Sequence, residues 1–288
     1  MKSTGPTLLA AGVLSAVTLL SGCTSGASAD DNPDVIEFGV PPGEADPEML
    51  EKMQPTADLV SEAAGVDVNV TKTSDYLAIV EAMRSDLLDV AMFSPMPTVI
   101  AQGVADIEPL AVALGAPYST YIICSPDAGV DDLADVQDHS MAFVDPGSTS
   151  GNYIPRLMLT QAGVDLEALE STFAGGHDVA ALSVKQGSTD CAAVASMLLP
   201  DLVSSGTIAE SDYEIVAESD PLPISMVVIA REGLSQDIKD QITEAFLDAP
   251  QEVLDTVGAT EFVPAEDADW TIFEEAAKEL GVELDEVE

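Results

Sequence analysis

The chain has almost no positive charge. Nine lysines and arginines stand against 52 aspartates and glutamates in 288 residues, a formal net charge of −43. Nucleic acid and anionic membrane surfaces both need a basic face, so neither is an expected binding partner. There are two histidines and three cysteines, and no spacing among them matches a metal site. Neither a metal nor another cofactor is expected. Aromatics make up 5% of the residues, with a single Trp, while hydrophobic residues reach 47%. The core is therefore expected to be built from Ala, Val, Leu and Ile. The acidity fits a saline exterior, where the Debye length falls to about 3 Å at 1 M salt; a lineage-wide acidic bias is the alternative.

Long apolar runs are also lacking beyond the N-terminus. Lys2 precedes an apolar run over residues 7–20, shorter than the roughly 20 residues of a membrane span and suited to a signal-peptide core. It ends in Leu20-Ser21-Gly22-Cys23, which resembles a bacterial lipobox. The sequence thus predicts a lipoprotein signal peptide over 1–22, acylation of Cys23 and a flexible tether over 23–33. The chain would be exported and held at the outer face of the cytoplasmic membrane; an ordinary signal peptide with an incidental cysteine is the alternative. Cys124 and Cys191 remain. Both lie in apolar strand-like runs, Tyr121-Ile122-Ile123-Cys124 and Cys191-Ala192-Ala193-Val194. Two buried free thiols are the expectation, and a disulfide, which an oxidising exterior permits, is the alternative.

The remaining chain alternates short apolar strands with amphipathic helical stretches, the pattern of an α/β architecture. Strands are expected at 35–40, 66–70 and 89–94, with helices at about 47–64 and 75–87, the second capped by Asp75. The pattern restarts after Ala113. Strands are expected near 121–125, 141–145, 172–174 and 191–195, and helices near 150–162, 178–186 and 197–204. A last strand at about 224–230 precedes a helical C-terminal stretch. This order predicts a two-lobed clamp, each lobe a mixed sheet flanked by helices. Lobe 1 would take 34–117 and 221–288, and lobe 2 would take 118–220. Hinge crossovers fall near Pro117–Tyr121 and Ser219–Ile224.

Four stretches place ligand-like groups where a strand ends and a helix begins. In Asp145-Pro146-Gly147-Ser148-Thr149-Ser150-Gly151 three hydroxyls open a helix, whose first amides are unpaired and carry partial positive charge. Capping alone needs one hydroxyl. In Gly175-Gly176-His177-Asp178 a histidine stands at the next mouth, able to give a ring N–H to an oxyanion; a plain turn histidine is the bland alternative. Ser94-Pro95-Met96-Pro97-Thr98 and Ser74-Asp75-Tyr76 are the third and fourth. Ligands bind at such carboxyl ends of strands in open α/β sheets.

On these residues, with Glu81-Ala82, Pro155 and the stretch Gly187 to Asp190, the chain resembles the phosphonate/phosphite/phosphate substrate-binding family of ABC transporters, of the type II periplasmic-binding-protein fold. The resemblance spans Phe38 to about Trp270. It implies that Tyr76, Ser148, Thr149, Ser150 and His177 contact the ligand's oxygens, with Ser94 and Ser225 completing the expected set. It also implies lobe closure around a small phosphorus oxyanion, no catalysis, and permease and ATPase partners. A monomer is expected. Two departures bear on the ligand. The third strand is followed by Ser94-Pro95 and then Thr98 where members often carry an aromatic, so one wall is missing or supplied by Tyr118 or Tyr121. Members that take aminoalkylphosphonates place carboxylates against the amine, and the aligned positions here are Met197 and Ser225. The expected ligand is phosphite, methylphosphonate or phosphate.

Competing readings are a binding protein for another small oxyanion, a hydrolase using Ser148 or Ser150 with His177, and an envelope structural protein. The hydrolase reading lacks a Gly-x-Ser-x-Gly elbow. The structural reading leaves the helix mouths unexplained.

Overall fold

The computed structural model describes Met1, residues 32–40 and residues 49–282. The leader, Cys23, the tether up to residue 31, the Pro41-Pro42-Gly43 turn, the start of the helix expected from residue 47 and residues 283–288 lie outside the described residues.

The chain begins with β1 (Val35–Val40), α1 (Met49–Lys52), α2 (Gln54–Ala64), β2 (Asp67–Lys72), α3 (Tyr76–Arg84), β3 (Val90–Phe93), α4 (Pro95–Val104) and β4 (Ile107–Leu114). It then builds β5 (Thr120–Cys124), β6 (Met141–Phe143), α5 (Ile154–Gln161), β7 (Ser171–Phe173), α6 (His177–Lys185), β8 (Cys191–Ala195), α7 (Leu199–Ser204) and β9 (Glu214–Glu218). The last part is β10 (Met226–Arg231), α8 (Gln236–Leu247), α9 (Gln251–Val257), β11 (Glu261–Pro264) and α10 (Thr271–Glu279). Two mixed sheets result, ordered β11-β4-β10-β3-β1-β2 and β7-β6-β8-β5-β9. The fold is a two-lobed clamp, one sheet to each lobe. The chain enters the second sheet between β4 and β5 and returns to the first between β9 and β10.

Local chemistry sets these elements. Proline, which lacks the amide that a first helical turn leaves unpaired anyway, stands in the first turn of α2, α4, α5 and α7. Asp75 caps α3, its carboxylate accepting from Ala78 N at 2.7 Å. The central strand β3 is buried along its whole length, as its Val-Ala-Met-Phe composition requires. The edge strand β2 alternates between exposed and half-buried residues.

Three strands escape a reading of the sequence. The strand β4 contains Pro109, normally a mark against an interior strand. Its register against β10 shifts between Val228 and Ile229, so that Ala111 and Pro109 pair and Leu110 is the extra residue. The bulge excuses the missing donor. The edge strand β9 has three apolar residues between two glutamates and none of its five residues is buried, and β11 is a four-residue edge strand; neither carries a strong apolar period.

The expectation for the remaining cysteines is overturned. Cys124 and Cys191 are directly opposite on antiparallel β5 and β8, with Cα atoms 4.0 Å apart, and are joined in a disulfide. Both positions are buried. Apolar flanks predicted burial correctly, but pairing depends on strand register, which a single strand's composition does not carry.

One hydrophobic cluster crosses between the lobes. Ile79, Met96, Ile100 and Phe273 of the first lobe share it with Ile154, Leu157 and Ala195 of the second. The lobes therefore meet through an apolar seam beneath the helix mouths.

Candidate functional site

The second lobe's main mouth follows β6. Ser148, Thr149 and Ser150 are all buried, at 2%, 1% and 3% exposure, so their polar atoms need partners. A wide π-type turn over Thr149–Tyr153 leads into α5. Gly151 permits it, since a Cβ there would lie 2.4 Å from Val144 Cβ. Ser148 Oγ accepts from Gly151 N at 3.0 Å. Thr149 Oγ1 accepts from Met96 N at 2.9 Å, a bond that reaches across to the mouth of α4 in the first lobe. In both residues a backbone amide occupies the acceptor side of the hydroxyl, and the hydroxyl proton is left to be donated. Ser150 is fixed by its carbonyl, which accepts from Thr120 Oγ1 at 3.1 Å. Its backbone and side chain are within hydrogen-bonding reach of the Tyr118 phenol, which burial pushes up to about 12.

Across the seam, Ser94 stands at the N-cap of α4 but does not cap it with its side chain. Its Oγ is buried with no hydrogen-bond partner among the described residues. A hydroxyl so placed costs about 1–3 kcal/mol if left unsatisfied. The position is adjacent to the Met96–Thr149 bond, so Ser94 and Thr149 share one mouth.

His177 opens α6. It is buried, and burial pushes its imidazole down to about 4. Its Nδ1 accepts from Ala195 N at 3.1 Å. A neutral ring that accepts at Nδ1 carries its proton on Nε2. This bears directly on the hydrolase reading. A Ser–His base needs a free Nε2 and an Nδ1–H held by a carboxylate; here a backbone amide holds Nδ1 and the remaining nitrogen is a donor.

The other expected residues are placed as follows. Tyr76 is the first residue of α3, and its backbone N–H lies within reach of the Asp145 carboxylate. Ser225 is buried, with Oγ donating to Ala113 O at 3.4 Å. Met197 is half-buried in the apolar seam. Thr98 spends its hydroxyl on Ser94 O at 3.2 Å. Of the two tyrosines open as a replacement wall, Tyr118 is the one at Ser150, whereas Tyr121 is packed against a hydrophobic cluster of the second lobe. Arg156, the one cation close in sequence, sits 5.0 Å over the Phe143 ring.

Sequence reasoning passed over Thr120, and gave Met96 and Asp145 no role of their own within the stretches that contain them. Met96 and Ser150 contribute backbone groups, which no residue type advertises. Asp145 accepts from Gly147 N at 2.8 Å. Burial and the neighbouring Asp75 raise its carboxyl, against the lowering effect of the Gly147 and Tyr76 amides.

Neutral hydroxyls thus stand at helix mouths of both lobes, and one bond, from Met96 N to Thr149 Oγ1, joins two of those mouths across the lobe boundary. Residues 38–270 match the family described as "ABC transporter, phosphonate, periplasmic substrate-binding protein". The phosphate-import protein PhnD of Mycolicibacterium smegmatis is 30% identical over 253 residues, covering 80% of this chain and 78% of that protein. A binding protein component of an ABC phosphonate transporter from Pseudomonas aeruginosa superposes with a TM-score of 0.73 at 25% identity, covering 86% of each chain. PhnD1 of Prochlorococcus marinus, solved with methylphosphonate, shares the fold with a TM-score of 0.74 at 19% identity, over 86% of this chain and 99% of that one. The chain belongs to the phosphonate family of periplasmic substrate-binding proteins of ABC transporters.

Proposed function

We propose that this protein is a lipid-anchored extracytoplasmic receptor that captures a small phosphorus oxyanion without an amine and delivers it to the permease and ATPase subunits of an importer. The observation that carries the reading is the donor set. Ser148 and Thr149 have their acceptor sides taken by backbone amides, and Ser94 Oγ is buried without a partner. Protons converging from two lobes suit a ligand that offers acceptors on several sides, as a tetrahedral oxyanion does. The ligand set is Tyr76, Ser94, Ser148, Thr149, Ser150, His177 and Ser225. Lobes formed by 34–117 with 221–288 and by 118–220 close on it, and the anchor is Cys23.

The absence of a carboxylate at Met197 and Ser225 supports phosphite, methylphosphonate or phosphate over aminoalkylphosphonates. Relatives named for phosphate import and for phosphite binding support the same class. A thermal-shift panel of phosphite, methylphosphonate, phosphate, 2-aminoethylphosphonate and sulfate tests the reading. Stabilisation by at least one of the first three, above the other two, is expected. A response to sulfate alone would replace the ligand class.

A further inference from the structure

At one place where the two lobes meet stands a residue without a side chain. Gly147, in the loop after β6, lies against Tyr76, the first residue of α3 in the other lobe. A Cβ built at Gly147 would stand 2.6 Å from Tyr76 Cβ and 3.3 Å from Leu77 Cδ2. Atoms that are not bonded do not approach to 2.6 Å, and a Cβ cannot swing aside as a flexible chain end does. Gly147 is not among the glycines with positive φ, so its backbone does not itself require glycine. The small size is needed for the approach of Tyr76. Two residues earlier in the same loop, the Asp145 carboxylate holds Gly147 N at 2.8 Å and faces the Tyr76 backbone N–H.

We infer that Gly147 is the clearance gauge of the closed clamp: its missing side chain lets Tyr76 reach the second lobe, and so positions the tyrosine over the anion held at the adjacent Ser148-Thr149-Ser150 mouth. The inference deepens the proposed function and rests on it for the ligand, but the contact itself is a matter of conformation. Adding one methyl at residue 147 wedges the lobes apart at the α3 mouth and leaves each lobe's own packing intact. The Met96–Thr149 bond, which spans the same seam, is broken with it.

The test is a distance measurement between the lobes. Thr71 on β2 and Thr172 on β7 are exposed on edge strands of the two sheets. In a full chain carrying Cys23→Ser, Thr71→Cys and Thr172→Cys, the disulfide consumes the other two cysteines and only the new thiols take spin labels. Distances are read without ligand and with phosphite, methylphosphonate or phosphate. The parent protein is expected to show a short-distance population, Gly147→Ala to lose most of it, and Gly147→Ala with Tyr76→Gly to regain it. The double variant removes the clashing Cβ but also the phenol, so closure recovers while anion affinity stays at least tenfold reduced. A short-distance population unchanged in Gly147→Ala would overturn the inference, as would a double variant that stays open, or a parent that never closes under any condition. If closure behaves as expected but no phosphorus oxyanion alters it, the gauge stands and the ligand assignment fails.

Discussion

The backbone N–H of Met96, at the mouth of α4, donates across the lobe boundary to Thr149 Oγ1 at 2.9 Å. The bond ties the first lobe to the residue at the centre of the second lobe's hydroxyl cluster. It also polarises the threonine hydroxyl as a donor, since an oxygen that accepts a hydrogen bond gives its own proton more strongly.

Thr149→Val keeps the shape and removes both functions. Hydrogen bonds to charged groups contribute about 1.5–3 kcal/mol, which corresponds to a loss of affinity of roughly 10- to 150-fold. Thr149→Ser retains the hydroxyl and is expected to stay within a few-fold of the parent. Calorimetric titration with phosphite or methylphosphonate measures both. Equal affinities for the parent and the valine variant would remove Thr149 from the site.

Ser94→Ala separates binding from folding. A buried hydroxyl without a partner contributes nothing favourable to the fold, and replacing it with a methyl is neutral or stabilising. Chemical unfolding of the ligand-free variant is therefore expected to match or exceed the parent, while anion affinity falls by about tenfold or more. A variant destabilised without loss of affinity would assign Ser94 a structural role instead.

His177 gives a pH signature. Its imidazole is held at about 4 by burial, against an ordinary value of about 6.5. Between these values the unfolded chain binds the proton and the folded chain does not. Stability from this group is therefore complete above about 6.5 and is lost as the pH falls towards about 4. With two histidines in the chain, proton NMR separates them: the ring resonance of His177 is expected to stay at its neutral position down to about pH 5, within the window set by its depressed value. A midpoint near 6.5 would contradict the buried, Nδ1-accepting geometry.

The disulfide closes a separation of 67 residues, for which loop-closure entropy gives about 4 kcal/mol. Cys124→Ala with Cys191→Ala is expected to lower unfolding stability by about 2–4 kcal/mol. Binding should be retained, because Cys191 is at the opposite end of β8 from Ala195, about 13 Å along the strand. Loss of anion binding in a folded double variant would show that the bond also shapes the mouth.

Much of the fold was legible because it is written in apolar period and in the punctuation of Pro and Gly. The strand over Val35–Val40 and the cap at Asp75 are of this kind, and so is the hydroxyl run at Ser148. What escaped depends on partners far along the chain. Pro109 hides β4 until its bulge against β10 is seen. The pairing of Cys124 with Cys191 is a matter of register. The contact of Gly147 with Tyr76 joins two lobes whose juxtaposition no local pattern encodes. The hydroxyl run at Ser148-Thr149-Ser150 was legible as a run, but the bond from Met96 N to Thr149 Oγ1 was not, because it joins residues 53 apart.

The ligand class is tested most directly by titrating the purified protein with methylphosphonate and with 2-aminoethylphosphonate in parallel. The two share the phosphonate head and differ in an ammonium-bearing arm. On the proposed reading, in which Met197 and Ser225 offer no carboxylate to an ammonium, methylphosphonate is expected to bind at least tenfold more tightly than 2-aminoethylphosphonate. Markedly tighter binding of 2-aminoethylphosphonate would contradict the account.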